Sequence, residues 1–595
     1  MEQNQAIPGT VMLRSSWTQP PYLGVAESVT GRRWQGLSPG QDRLSLQIAQ
    51  HCGVPSVLAR ALARRNLKPW DVAAYLDPQP IDPNAAGQDL MDLERAADRL
   101  VDAIRRHEAI AIVADTGIDG CCAMVMMQIA MQACMANPEQ LTVRFVSKPA
   151  ASYPIAELLD THNLIVLLDL GDTPLDPDHK PRANDILVID NDARNPEGPA
   201  APAHVNGNRH DESGHYADLC TAGLTNLLLE AIHTRLHAMG SPTFDRTTLA
   251  QYVCMACAAE RVSLHANNRP FILPGLAQIR QRTHPGFSAL MDAIPLRHKL
   301  RFHDLRSGFA ARMAHGEYPG HSPLTYQLLS ATHPADASSP AAVLDQFHED
   351  RAPAREQSII EACDLASGRK AAKGMVWAAS HNWACHHLEA IAAALQERFN
   401  WPGLAIRLDS PVSSAVGVGV PGFNLGVAIA NCKMRGLAIN GGGHPMKAVL
   451  AMPPGGILTV LEALSAELHH QNPMHKSCQD VRLDGILKPE AVNYRLMKTI
   501  DRIGPFGIGS PRPRFVLTHQ HILKRRKYGT ESLRLELSGN DNGSLNGFVP
   551  GGYQSELGMF LRHCSHAPVH LAGTVSMAGH GGRQTRFNIE DAAKI

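Results

Sequence analysis

Net charge is the first thing this sequence lacks. Its 595 residues carry 56 Lys plus Arg against 56 Asp plus Glu, a formal charge of zero. That excludes a histone-like coat of positive charge, while leaving room for a local basic groove. A long hydrophobic run is also missing. The apolar stretch Gly120–Ala136 ends after 17 residues and contains Gln128 and Gln132, which suits a buried helix better than a membrane span. Met1–Ser16 has no basic region followed by an apolar core, so no signal peptide is expected. The twelve Cys lack even spacing, which argues against a secreted disulfide framework. No internal repeat, heptad array or low-complexity tract is present. A cytoplasmic protein without membrane contact is expected.

Hydrophobic residues make up 44% of the chain and charged residues 19%, the balance of an ordinary globular protein. At roughly 150 residues per domain the length allows about four domains. Charge is unevenly placed. Residues 476–595 hold 17 Lys/Arg and 10 Asp/Glu, a net of +7, which leaves −7 for residues 1–475. A basic C-terminal module on an acidic body suggests contact with a polyanion at that end.

Between Ala86 and Asn268, short continuous apolar runs alternate with helical patterns. Ala109–Ala114, Leu141–Val146, Leu164–Leu168 and Ile186–Ile189 read as strands, three of them apolar throughout as in a parallel sheet covered on both faces. Helices are expected at Leu90–Arg106, Cys121–Ala136 and Thr221–Leu236. A helical, loop-rich region follows, with Thr332–Ala342 expected as a surface loop. Next come strand Gly374–Ala379, helix Leu388–Phe399, strand Gly403–Leu408 and the Gly-rich Gly417–Gly443. Alternating segments such as Ser532–Leu537 and Val569–Val575 suggest a small β-barrel at the end.

Three of the expected strands run into the same residue type: Asp115, Asp169 and Asp190. The carboxyl ends of parallel strands form the ligand crevice of an open sheet. Carboxylates gathered there repel one another unless a cation lies between them. Asp119 and Asp192 stand one short turn away. Asp also caps helices and turns well, so any one of them has a structural explanation.

Ile112–Gly120, with Asp115 and Asp119, resembles the first motif of the DHH phosphoesterases, Asp-x-Asp-x-Asp-Gly after a strand. Leu167–Gly171 resembles the second motif, and Val188–Asp192 falls where Asp-His-His is expected. Ala259–Leu264, with Asn268 and Arg269 after it, resembles the fourth, Ala-Asp-x-Val-Pro-Leu. Gly441–Met446 resembles the Gly-Gly-Gly-His signature of the DHH-associated domain, and Pro421–Gly426 that domain's Gly-Phe-Asp-Leu segment. Arg502–Gly507, with Pro511 and Phe515, is similar to the opening of the C-terminal OB-fold in RecJ-like proteins. Over nearly the whole chain the order resembles the RecJ branch of the family, single-strand-specific 5′-to-3′ DNA exonucleases.

The resemblance implies an α/β fold. It has a parallel-sheet DHH domain (86–275), a helical connector (276–365), a smaller α/β DHH-associated domain (366–475) and a C-terminal OB-fold β-barrel (476–595), after an N-terminal helical lead-in (1–85). It also implies a pair of Mn²⁺ or Mg²⁺ ions that stabilise the attacking and leaving oxygens of an in-line displacement.

Several implied ligands are replaced. Gly117 stands for the middle Asp, Asn191 and Asp192 for the paired His, and Glu260 for the fourth-motif Asp. An amide oxygen is a poorer ligand than imidazole, and misplacing a carboxylate by a bond length can cost about 10²-fold in rate. Asp115, Asp119, Asp169, Asp190, Asp192 and Glu260 remain as residual donors, enough for one Mg²⁺ or Mn²⁺ or, with full degeneration, for none. The His-x-Gly-x-x-Gly segment appears as Ala384, His386 and Glu389. The Ser-x-Arg-Ser stretch appears as Ala415–Val420, without its Arg. Catalytic residues stay unassigned.

For nucleic acid the candidates are Gly441, Gly442, Gly443 and His444, whose N–H groups suit a phosphate. Arg512 and Arg514 near Phe506 and Phe515, and Lys524, Arg525, Arg526 and Lys527 before Tyr528, are the others. Both Phe are expected in the core. Cys254 and Cys257 have metal-like spacing without a partner pair. His386 and His387 are expected to point apart on a helix, and Cys121 and Cys122 to pack in the core.

The favoured reading is a catalytically impaired RecJ-like protein. It would bind single-stranded DNA or scaffold a replication, recombination or repair complex beside a helicase or single-strand-binding protein. A metal-dependent 5′-to-3′ exonuclease or oligonucleotide phosphodiesterase with a rearranged metal site stays open, as does a protein–protein module without nucleic-acid affinity.

Overall fold

The structure, a computed structural model, describes residues 20–147, 156–171, 186–193, 203–264, 266–296, 299–314, 316, 323–368, 374–473, 480–529, 531–538, 544–564, 567–578 and 584–595. The segment Met1–Ser16 considered above lies outside them. Contacts divide the chain into two compact units: Met1–Leu76, Cys478–Gly504 and Arg512–Ile595 in one, Asp77–Ser477 with Pro505–Pro511 in the other.

The larger unit holds two sheets. In the first, five parallel strands run in the order Leu141–Val146, Ile110–Asp115, Leu164–Leu168, Ile186–Ile189 and Ala203–Val205. Every residue of Leu164–Leu168 and Ile186–Ile189 is buried, because helices cover both faces. The strand order reverses between Ile110–Asp115 and Leu164–Leu168, and ligand crevices open at such a switch point. Helix Ile118–Cys134 follows strand Ile110–Asp115 and is buried on nearly every side, with Cys121 and Cys122 fully enclosed. Helices Thr221–Ala238 and Ala250–Ala259 pack against it.

The second sheet runs Asn440–His444, Lys447–Met452, Ser413–Val418, Gly403–Arg407 and Val376–Ser380, antiparallel except for the last pair. The glycines Gly441–Gly443 therefore lie on an edge strand. Gly443 has φ +146°, and a Cβ there would lie 2.4 Å from the Ala448 Cα, so this position accepts only glycine.

The expected loop Thr332–Ala342 is instead the start of a 34-residue helix, Pro334–Ser367. Pro334 occupies the first turn, where its missing N–H costs nothing. Pro340 lies in the helix interior with its ring buried beside Ala337, Ala341 and Leu344, whose packing outweighs the lost backbone bond.

The smaller unit contains a seven-stranded sheet. Its order is Gly485–Leu487, Phe515–Gln520, Val569–Ala578, Gln584–Lys594, Ser544–Val549, Ser532–Ser538 and Ile522–Tyr528. Residues from early in the chain form a separate two-stranded sheet in this unit. Trp34–Gln35 pairs in parallel with Val481–Arg482, and the fully buried Trp34 donates its indole N–H to Asp591 at 2.9 Å. Among the described residues no helix is long and apolar enough to cross a membrane.

Candidate functional site

The carboxylates expected at the sheet edge occupy it, and Asp115, Asp119 and Asp169 each accept hydrogen bonds there. Asp115 ends its strand and accepts from Gly117 N at 2.9 Å. Asp119, in the first turn of the next helix, is 1% exposed. Its two oxygens accept from Thr221 N and Ala222 N, each at 2.8 Å, and so cap the start of helix Thr221–Ala238. Burial pushes its carboxyl up to about 6, helped by the charge of Glu260, and the two N–H bonds oppose the rise. Asp169 takes φ +57° after its strand and accepts from Thr221 Oγ1 at 3.2 Å. Asp190 is buried near the Asn206 amide, and that amide donates to the Asp192 carbonyl at 2.9 Å.

The edge strand of the second sheet meets this cluster. Ala193 N donates to the Gly443 carbonyl at 2.7 Å. A Cβ on Gly442 would sit 3.5 Å from the Asp192 carboxylate, and one on Gly171 3.3 Å from Asp190 and Asp192. Small residues thus let the two segments approach. Asn191 is buried, with its carbonyl bonded by Asn208.

Glu260, just beyond helix Ala250–Ala259, is the centre of an ionic network that the sequence did not disclose. His444 Nδ1 accepts from Met446 N at 3.4 Å, so Nε2 carries the proton that points at Glu260 Oε2, 3.2 Å away. Lys447 Nζ reaches Glu260 Oε1 at 3.0 Å and Glu389 at 3.4 Å. Burial pushes the Glu260 carboxyl up. The Lys447 charge and the bonds from His444 and Lys447 reverse this and hold it well below the usual carboxylate range. Burial would lower the Lys447 ammonium, but Glu260 and Glu389 keep it above its ordinary value, and Asp169 adds to their effect.

This donor set does not fit a pair of divalent ions. Gly117 brings no ligand, Asp119 is committed to a helix start, and an ammonium stands against the Glu260 carboxylate. Among the described residues no group of three or more His, Cys, Asp or Glu is arranged to hold a metal.

The basic residues of the smaller unit divide by strand alternation. Arg525 turns inward and caps the carbonyls of Leu561 and Cys564, at 2.9 and 3.0 Å, at the end of helix Glu556–His563. The guanidinium, expected at nucleic acid, is thus engaged by carbonyls of the fold. Arg514 bonds Glu590 at 2.6 Å, and Arg512 lies 3.9 Å from Asp501. Lys527 lies over the Tyr553 ring.

Lys524, Arg526 and Tyr528 share the other side of their strand, next to Glu536, Arg534 and Ser532. Arg534 is opposite Phe548, whose ring meets Tyr528 edge-on at 5.9 Å. The Arg586 guanidinium sits 4.1 Å over the same Phe548 ring. Arg534, Phe548 and Arg586 escaped sequence reasoning. Leu533, Leu535 and Leu537 alternate with Arg534 and Glu536 legibly enough, but the cross-strand register does not show in one strand.

Phe515 is in the core at 1% exposure, whereas Phe506 is only half-buried, against expectation. His386 and His387 lie in the 3₁₀ turn Cys385–His387 and meet edge-on at 4.4 Å instead of pointing apart. Cys254 and Cys257 are fully buried, and Cys257 packs against Cys220.

An acid-edged parallel sheet, a second sheet carrying Gly-Gly-Gly-His and a C-terminal OB domain define a DHH-family architecture. Within that class the chain is RecJ-like. The RecJ OB domain pattern matches residues 483–591. The single-stranded-DNA-specific exonuclease RecJ of Bacillus subtilis is 22% identical over 560 residues, covering 88% of this chain and 68% of that protein. The Escherichia coli exonuclease of the same name is 24% identical, covering 77% of this chain and 83% of its own. The fold matches RecJ from Thermus thermophilus in complex with Mn²⁺ at a TM-score of 0.72, with 18% identity over 94% of this chain and 79% of that one. The Mg²⁺ complex of the Thermus protein matches at 0.65.

Proposed function

We propose that this RecJ-like protein has an impaired hydrolytic centre, binds single-stranded DNA and serves as a scaffold in a replication, recombination or repair complex, beside proteins such as a helicase or a single-strand-binding protein. The observation that carries the reading is the Lys447 ammonium clamped between Glu260 and Glu389. A positive charge fixed against a carboxylate opposes entry of a divalent cation there.

DNA affinity is assigned to the sheet face of the smaller unit. Lys524, Arg526, Arg534 and Arg586 offer charge to phosphates, and Tyr528 and Phe548 offer rings to bases. Each stacked base contributes roughly 1–3 kcal/mol. The Gly441–His444 strand is a second candidate contact.

The test is 5′-labelled single-stranded DNA with Mn²⁺ or Mg²⁺, beside an Asp169→Ala control. The expected result is binding that weakens as salt rises, loses roughly 1–3 kcal/mol in Phe548→Ala, and yields no product. Nucleotide release abolished by Asp169→Ala would instead establish the exonuclease reading, which the names of the relatives and the retained Asp115, Asp169 and Asp190 favour.

A further inference from the structure

The edge of the parallel sheet concentrates negative charge. Asp119 and Glu260 feel one another electrostatically, and Glu389 and Asp169 both act on Lys447. Such a gathering needs a cation. The family's fold implies divalent ions; this chain places an amine among the same groups. Lys447 Nζ lies 3.0 Å from Glu260 and 3.4 Å from Glu389, on a side chain only 24% exposed. Glu260 and Glu389 are both departures from the motifs the chain resembles. The longer Glu260 carboxylate stands where an Asp is usual, and Glu389 supplies a charge where glycine has none. His444 fixes the other Glu260 oxygen, so the carboxylate is oriented on both sides.

We propose that Lys447 is a resident counter-cation, a covalently attached replacement for the metal charge, so that the acidic edge folds and holds its shape without divalent ions. The inference deepens the impaired-centre reading and rests on it. An ammonium gives the sheet edge its neutralising charge but has no vacant orbital to polarise a phosphodiester. It therefore keeps the architecture and leaves out the Lewis acid.

The test uses Mn²⁺ alone as the probe, on the full chain after chelation. Electron paramagnetic resonance follows free Mn²⁺, and thermal unfolding follows stability. The wild type is expected to show the same melting temperature with EDTA or with millimolar Mn²⁺. Lys447→Met is expected to melt lower in EDTA, to recover with Mn²⁺, and to bind the ion at least tenfold more tightly than the wild type. Adding Asp169→Ala should abolish that gain. Lys447→Arg, which keeps the charge, should behave as the wild type.

Mn²⁺ uptake by the wild type that Asp169→Ala removes would overturn the proposal. So would a Lys447→Met chain with unchanged stability and no Mn²⁺ response. If Lys447→Met fails to fold, the wild-type titration still decides the matter. Failure of the wild type to bind single-stranded DNA would sink the scaffold reading while leaving these Mn²⁺ measurements intact.

Discussion

At the scale of single residues, buried carboxylates decide how the protein responds to acid. Burial pushes Asp218 up to about 6, and the hydrogen bond from Asn267 only partly opposes it. The folded chain therefore holds a proton that the unfolded chain, with a carboxyl near 3.9, releases earlier. Stability from this group is fully present below about pH 4 and is lost as pH rises through about 6. Asp218→Asn should remove that slope, flattening stability between pH 4 and 6 by up to roughly 3 kcal/mol relative to the wild type. Urea midpoints at several pH values check it. The acidic positions were legible in the sequence, since Asp115, Asp169 and Asp190 each follow an apolar run. Lys447 was not, because its partner Glu260 lies 187 residues away and the contact is tertiary. The carbonyl partners of Arg525 were equally hidden: its basic neighbours suggested a surface, while the pleat turns it toward Leu561 and Cys564.

At the scale of elements, strands were read better than helix limits. Leu141–Val146, Leu164–Leu168 and Ile186–Ile189 fall on the expected residues; in the last two an unbroken apolar run leaves a buried strand little freedom. Thr332–Ala342 misled because local Pro content says nothing of the surface a helix can bury. The Gly441–His444 segment is a strand whose last glycine brings two backbones together. Gly443→Ala places a Cβ 2.4 Å from the Ala448 Cα at φ +146°. The expected cost is about 3 kcal/mol, with His444 and Lys447 drawn away from Glu260. A fall in the denaturation midpoint, together with a changed His444 ring resonance, would register both effects.

At the scale of the whole molecule, charge and connectivity follow different boundaries. The basic excess belongs to residues 476–595, yet the compact unit that holds most of them omits Pro505–Pro511 and also takes in the residues up to Leu76. Composition reveals the first division and cannot reveal the second, since a two-residue pairing such as Trp34–Gln35 with Val481–Arg482 has no periodic signature. Trp34→Ala removes a fully buried ring and the donor to Asp591. It should destabilise the OB-containing unit by about 3–5 kcal/mol. Calorimetry should show the transition of that unit moving down while the transition of Asp77–Ser477 keeps its temperature.

The indole of Trp34 finds its acceptor 557 residues further along the chain. During synthesis it leaves the ribosome long before Asp591 has been polymerised. The larger unit can close first, while the early segment waits with its apolar side chains uncovered, the interval in which nascent chains aggregate. The yield of folded protein is therefore expected to respond to translation speed and to holdase chaperones.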